Sequence, residues 1–131
     1  MVAEQQCVLL LSQDGASPLA PTLRLQDMDV DVVSLTVEAA RCLRVKHYSV
    51  VVLDLVVVEP GSLEFLKEYR ESGGPARPIV ILLTAERPES LTEPELDFIH
   101  AIIRKPADLN GLAEIVHDCT VKLAQRAELL S

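Results

Sequence analysis

Three residues with complementary chemistry stand at the ends of short apolar runs. Asp54 ends one run, Thr84 follows another, and Lys105 follows a third. A carboxylate can act as the nucleophile that forms an acyl phosphate. A hydroxyl can donate a hydrogen bond to a phosphoryl oxygen, and an ammonium group can compensate the charge on such oxygens. These residue types suit phosphoryl transfer, provided that the fold brings the three run ends together.

Five short apolar runs, most of them rich in β-branched residues, are candidate strands. Four of them lack polar alternation, which is typical of strands that are covered on both faces in a parallel sheet. The second run alternates more and suits an edge position. In chain order the runs are Cys7–Leu11, Val30–Val33, Val50–Leu53, Ile79–Leu83 and Ala101–Ile103.

Helical patterns lie between the first three runs. A short first helix is predicted to be capped by Ser17, to carry Pro18 at its first position and to end near Gln26. A second helix is predicted to be capped by Thr36. Its buried face is expected to hold Val37, Ala40 and Leu43.

Further helical patterns follow the third run. One extends from about Ser62 and stops at Gly73-Gly74. Its expected buried residues are Leu63, Leu66 and Tyr69. Pro88 and Pro94 interrupt the pattern before the fifth run, because proline breaks a helix interior. The last helix begins just after Pro106, and one apolar stripe follows it throughout. That stripe consists of Leu109, Leu112, Val116, Cys119, Leu123, Ala127 and Leu130.

The alternation of strands and helices predicts an α/β fold of the (βα)5 type. We expect a doubly wound, five-stranded parallel sheet of flavodoxin-like order 2-1-3-4-5 in a three-layer sandwich. Residues 1–120 form this domain in the prediction, and residues 121–131 extend the last helix. Ligands of such folds bind beyond the carboxyl ends of the strands. Asp54, Thr84 and Lys105 are therefore expected to meet at one edge of the sheet.

Composition argues against several classes of protein. The net charge of −8 makes nucleic acid a poor partner, and no apolar run approaches the ~18 residues that span a bilayer. The three cysteines lack metal-ligand spacing, so reduced thiols and a cytoplasmic location are expected. A glycine-rich phosphate loop, a nucleophile elbow and an HExxH motif are all missing from the sequence, so nucleotide-binding, hydrolase and zinc-enzyme functions have no support.

Residues 6–118 resemble the receiver domain of bacterial two-component response regulators. The resemblance rests on motifs at the strand ends and on their spacing, which is 30 residues from Asp54 to Thr84 and 21 from Thr84 to Lys105. The motifs are Leu53-Asp54-Leu55, Leu63-Glu64-Phe65-Leu66, Leu83-Thr84-Ala85 and Arg104-Lys105-Pro106-Ala107-Asp108-Leu109.

The resemblance implies a role for each residue of the site. Asp54 would accept a phosphoryl group, Thr84 would be the switch hydroxyl, and Lys105 would contact the phosphoryl group. Mg²⁺ would be held by Asp54 and the backbone carbonyl of Val56, together with acidic residues after the first strand. The domain would not be an enzyme beyond phosphorylating and dephosphorylating itself.

The chain departs from the receiver pattern in the pocket. The positions of the usual acidic pair hold Ser12 and Gln13, and Asp14 follows one residue later. Mg²⁺ prefers carboxylate and phosphate oxygens, so we expect its binding here to be weak even if Gln13 and Asp14 take part. The aromatic residue that usually precedes the lysine by three positions is Ile102.

Two functions remain open at this point. One is a phosphorylatable receiver that takes its phosphoryl group from a histidine kinase or phosphotransfer protein and switches a partner interface. The other is a pseudo-receiver, a protein-interaction module without regulated phosphorylation. The long terminal stripe favours either an ordinary frayed helix, or a helix that pairs with a second copy or leads to an effector domain outside this chain. Direct contact with nucleic acid or membrane is not expected.

Overall fold

The computed structural model describes residues 7–12, 18–55, 64–71, 78–84, 99–104 and 108–130. Five strands and four helices lie in these ranges. The strands are β1 (Cys7–Ser12), β2 (Asp29–Val33), β3 (Val50–Leu55), β4 (Ile79–Thr84) and β5 (Ala101–Arg104). The helices are α1 (Leu19–Arg24), α2 (Thr36–Val45), α3 (Glu64–Glu71) and α4 (Leu109–Leu130).

All four pairings in the sheet are parallel, and the strand order is β2-β1-β3-β4-β5. This order confirms the predicted flavodoxin-like topology, with helices on both faces. Each predicted apolar run is a strand, and every one of these strands is one or two residues longer than its run. The central strand β3 ends one residue after Asp54. Asp54 is therefore still part of the sheet, and its backbone position is fixed by pairing with β1 and β4.

Two apolar layers hold the helices against the sheet. Alternate side chains of β1, β3 and β4 point to opposite faces, and the central positions of β1 and β3 are almost completely buried. Each such leucine or valine contributes about 1.5–3 kcal/mol relative to an exposed position. The α1 face of the sheet packs against Leu19, Ala20, Leu23, Leu112, Ala113 and Val116. The α2 face packs against Ala39, Leu43, Phe65 and Leu66.

The first two helices differ in detail from their predictions. Helix α1 begins at Leu19 with Pro18 as its N-cap, whereas Pro18 was expected inside the first turn, and the helix ends at Arg24. Thr36 is the first residue of α2 and not its cap. Leu35 is the N-cap, and its backbone N–H donates to the Glu38 carboxylate over 3.2 Å. A side chain from the first turn thus replaces the expected hydroxyl cap.

The buried face of α2 also differs from the prediction. Ala39 and Leu43 are buried, and Ala40 is half-buried, but Val37 is 62% exposed. The helix is therefore rotated so that Ala39, rather than Val37, contacts the sheet.

Several residues named in the helix predictions lie outside the described residues. These are Ser17, Leu63, Gly73, Gly74, Pro88, Pro94 and Pro106. Leu109, Leu112, Val116 and Cys119, the first four residues of the predicted stripe, pack on the α1 face of the sheet.

The edge strand β2 carries a polar cluster on its α2 side. The Lys46 ammonium contacts the carboxylates of Asp29 at 2.9 Å and Asp31 at 3.0 Å. The buried Tyr48 hydroxyl donates to Asp31 over 2.6 Å. This hydrogen bond, followed by that from Lys46, lowers the pKa of the Asp31 carboxyl. Burial, and then the bond to Asp31, raises the pKa of the Tyr48 hydroxyl.

Replacing Tyr48 with phenylalanine is expected to destabilise the protein by about 1 kcal/mol at neutral pH, since one charge-assisted hydrogen bond to a partly exposed carboxylate is lost. The lowered pKa of Asp31 means that its contribution is present above the unfolded value of 3.8 and is lost as the pH falls through the folded value. The difference between wild type and Tyr48→Phe should therefore shrink in acid. Urea unfolding of both proteins at neutral and acid pH measures this difference in the free energy of unfolding. A difference that is constant with pH would contradict this assignment.

No helix among the described residues is both long enough and apolar enough to cross a membrane. Helix α4 has 22 residues and extends ~33 Å. It continues unbroken from the part that packs on the sheet to Leu130. The proposed division at residue 120 stays a prediction.

Candidate functional site at the carboxyl ends of the strands

Three polar residues meet where β1, β3 and β4 end. Ser12 is the last residue of β1 and lies directly opposite Asp54 of β3. Thr84 is the last residue of β4 and lies opposite Leu55, the residue after Asp54. Adjacent strands are separated by about 4.8 Å, so Asp54 is in the middle of the three. This register places Asp54 and Thr84 at the same edge of the sheet, and their convergence with Lys105 on one phosphoryl group stays a prediction.

The face of the sheet on which each side chain lies follows from the alternation. Val52 belongs to the α1 face, so Asp54, two residues later, lies on that face beside Ser12. Leu82 belongs to the α2 face, and so does Thr84. A group bound beyond the strand ends is thus approached by the carboxylate from one face and by the threonine from the other.

Accessibility differs among the three residues. Ser12 is completely buried and Thr84 is 2% exposed, whereas Asp54 is half-buried. The carboxylate is therefore the member of the group that an incoming reagent can reach. A half-buried carboxylate can act as a nucleophile or an ion ligand, while the two buried hydroxyls can only act on something already in the pocket.

The other predicted site residues stand outside the described part of the chain. These are Gln13, Asp14, Val56 and Lys105. Lys105 directly follows Arg104, the last residue of β5, and Arg104 is paired with Thr84. The end of β5 is thus at the same edge of the sheet as Thr84. The roles proposed for Lys105 and for the three metal-binding positions stay predictions.

The donors that the structure describes fit a magnesium ion poorly. Asp54 is the single carboxylate among the described residues at these strand ends, and its neighbour Ser12 is a neutral, buried hydroxyl. Within the described ranges, no group of three histidine, cysteine, aspartate or glutamate residues could hold a metal ion. Mg²⁺ is usually bound through one or two carboxylates together with phosphate oxygens and water. Among the described residues, the position opposite Asp54 therefore supplies no acidic ligand.

Comparison with solved structures identifies the architecture. The receiver domain of the Francisella response regulator 1452 superposes with a TM-score of 0.73 at 20% identity, covering 91% of this chain and 99% of that one. A CheY-like receiver domain from Methanospirillum hungatei superposes with a TM-score of 0.74 at 14% identity, covering 94% and 99%. The chain has the receiver fold. No family model and no curated protein matches the sequence.

A third receiver-fold structure bears on ligands. The response regulator TrrA from Thermotoga maritima, solved in complex with Mg²⁺ and BeF, has a TM-score of 0.66 and 20% identity. It covers 88% of this chain and 99% of its own. TrrA is thus an example of a protein with the receiver fold that binds Mg²⁺.

The exposure of Ile102 and the groove between α2 and α3 were not predicted from the sequence. Ile102, at the position where receivers usually carry an aromatic residue, is 45% exposed on β5. Arg41 and Arg44 line a groove between α2 and α3 and were not singled out from the sequence. The sequence does contain a relevant pattern, because Arg41 and Arg44 are three residues apart and follow Val37 on the same helix. The prediction that Val37 is buried prevented its use.

Proposed function

We propose that this chain is a response regulator receiver domain of a two-component system that accepts a phosphoryl group on Asp54. The observation that supports the proposal is the position of Asp54, half-buried at the end of the central strand with Ser12 and Thr84 on the neighbouring strands. The donor would be a histidine kinase or phosphotransfer protein, and the domain would act in the cytoplasm.

The proposed chemistry is a transfer between two protein side chains. A carboxylate oxygen of Asp54 attacks the phosphorus of a phosphohistidine and forms a P–O bond. The N–P bond breaks, and its electron pair returns to the imidazole nitrogen of the donor. The Lys105 ammonium and the Thr84 hydroxyl would stabilise the charge on the phosphoryl oxygens. Because the described donors fit Mg²⁺ poorly, no step is assigned to the ion.

The test is the mass of the intact protein after incubation with acetyl phosphate, with Mg²⁺ raised until the rate no longer changes. A gain of one phosphoryl group supports the proposal. The Ser12→Asp/Gln13→Asp variant provides a positive control, because it restores the acidic pair of receivers. Labelling of that variant on Asp54, with the wild type unlabelled, would favour the pseudo-receiver function instead.

Thr84 supplies a second prediction about the same site. Valine has nearly the same shape as threonine, so Thr84→Val should fold with a loss of about 1 kcal/mol for the buried hydroxyl. Asp54 should still be labelled, but the change in amide hydrogen exchange on phosphorylation should disappear, because the hydroxyl that contacts the phosphoryl group is gone. Thr120→Val is the matched control, since Thr120 is also fully buried and donates to the His117 carbonyl. An unchanged exchange response in Thr84→Val would contradict the switch role.

A further inference from the structure

A groove with exposed arginines lies between α2 and α3. Its volume is about 370 Å³, and its lining includes Val37, Arg41 and Arg44 from α2, and Phe65 and Glu68 from α3. Thr36 and Arg44 mark its two ends, so it follows α2 for ~12 Å. A groove of this length matches about two turns of a helix laid alongside it.

The chemistry of the groove is unusual for this protein. Within the part of the chain that the structure describes, the Arg41 and Arg44 side chains form no ion pair or hydrogen bond, and both residues are exposed. The chain as a whole carries a net charge of −8, so two neighbouring exposed guanidinium groups have the opposite sign to the protein as a whole. Val37 is 62% exposed about one turn before Arg41, and the buried Phe65 also lines the groove. The groove therefore offers two positive charges around an apolar strip.

The complementary surface is present on the same molecule. Glu114 and Asp118 lie one turn apart on α4, and Ile115 beside them is 44% exposed. Among the residues that the structure describes, neither carboxylate has an ion pair or hydrogen bond. Two acids at this spacing can face Arg41 and Arg44, which are also about one turn apart, while the exposed isoleucine is available to the apolar side chains of the groove. Glu68 on the opposite wall has the same charge as these acids, so it would favour their placement on the α2 side.

We infer that the groove between α2 and α3 docks the Glu114–Asp118 segment of α4 from a second copy of this chain. Such a contact joins two different surfaces, so a bound pair keeps one free groove on one copy and one free helix on the other. Association then continues into a chain or ring instead of stopping at a two-fold dimer. The net charge of each copy opposes association only at short range, because the screening length is about 8 Å at physiological salt.

Analytical sedimentation of the full chain and of two double variants, each lacking the charges of one contact surface, tests this inference. Arg41→Ala/Arg44→Ala removes the groove charges, and Glu114→Gln/Asp118→Asn removes the helix charges. All four residues are exposed, so both variants should fold normally, which circular dichroism verifies. Lys67→Ala is the control, because Lys67 is exposed on α3 but does not line the groove.

The expected results form one pattern. The average mass of the wild type and of Lys67→Ala rises with concentration, and each double variant associates about tenfold more weakly or more. An equimolar mixture of the two double variants forms a 1:1 dimer that does not grow, since only one groove and one helix remain functional. A wild type that stays monomeric up to millimolar concentration would overturn the inference. So would double variants that associate as the wild type does, or a mixture that stays monomeric while the wild type associates.

Discussion

Asp54→Asn is expected to abolish phosphorylation while leaving the fold intact. The amide is nearly isosteric with the carboxylate, but its nitrogen and carbonyl oxygen are not nucleophiles that can form an acyl phosphate. Since Asp54 is half-buried at a strand end and not inside an apolar layer, the free energy of unfolding should change by no more than about 1 kcal/mol. Intact-mass spectrometry measures the label, and urea unfolding measures the stability.

The matched control for this variant is Asp27→Asn. Asp27 lies outside the strands in the left-handed backbone region, with φ of 61°, where asparagine is also tolerated. Its labelling should equal that of the wild type. Equal labelling of Asp54→Asn and wild type would show that another residue accepts the phosphoryl group.

The second large effect is expected from restoring the acidic pair. Ser12→Asp/Gln13→Asp should tighten Mg²⁺ binding by about tenfold or more, because the number of charged oxygen ligands largely determines affinity for a hard cation. Ser12 lies directly opposite Asp54, so a carboxylate there can share an ion with Asp54. Labelling of Asp54 should become faster, because the ion relieves repulsion between carboxylates and contacts the phosphoryl oxygens.

The same substitution should lower stability when no metal is present. Ser12 is completely buried, and a new carboxylate there would stand about 4.8 Å from Asp54 across the strand pair. Without metal, we expect the free energy of unfolding to fall by about 3 kcal/mol. Part of this loss should be recovered when Mg²⁺ is added. Gln13→Asp alone is the milder variant if the pair fails to fold.

Calorimetric titration of Mg²⁺ into wild type and variant measures the change in affinity. Val45→Asp/His47→Asp is the control, because it adds two exposed acids near the start of β3, at the opposite end of the sheet. Its affinity for Mg²⁺ should match that of the wild type. Equal affinity in the wild type and in Ser12→Asp/Gln13→Asp would mean that Asp14 already serves as the missing ligand.

The strands could be predicted because their apolar runs have a single physical explanation. A run such as Val50–Leu53 without polar alternation must be covered on both faces, and parallel pairing between helices does this. The position of Asp54 at the sheet edge followed from the same argument. The register that puts Ser12 opposite Asp54 did not, because it depends on how β1 and β3 align across a long connection.

The errors on α2 have a different origin. Val37 and Ala39 both start apolar stripes that a helix could bury, and the choice between them depends on where α3 packs. The structure buries Ala39 and leaves Val37 at the groove. The cap was misassigned for a related reason, since Glu38 and Leu35 interact in a way that the residue type of Thr36 does not reveal.

The most direct test of the central claim is to locate the phosphoryl group. The protein is incubated with acetyl phosphate and Mg²⁺, reduced with borohydride, which converts an aspartyl phosphate to homoserine, and analysed by peptide mass spectrometry. The account predicts reduction at residue 54 alone. Reduction at another carboxylate, or none in the wild type while Ser12→Asp/Gln13→Asp is reduced at Asp54, would contradict it.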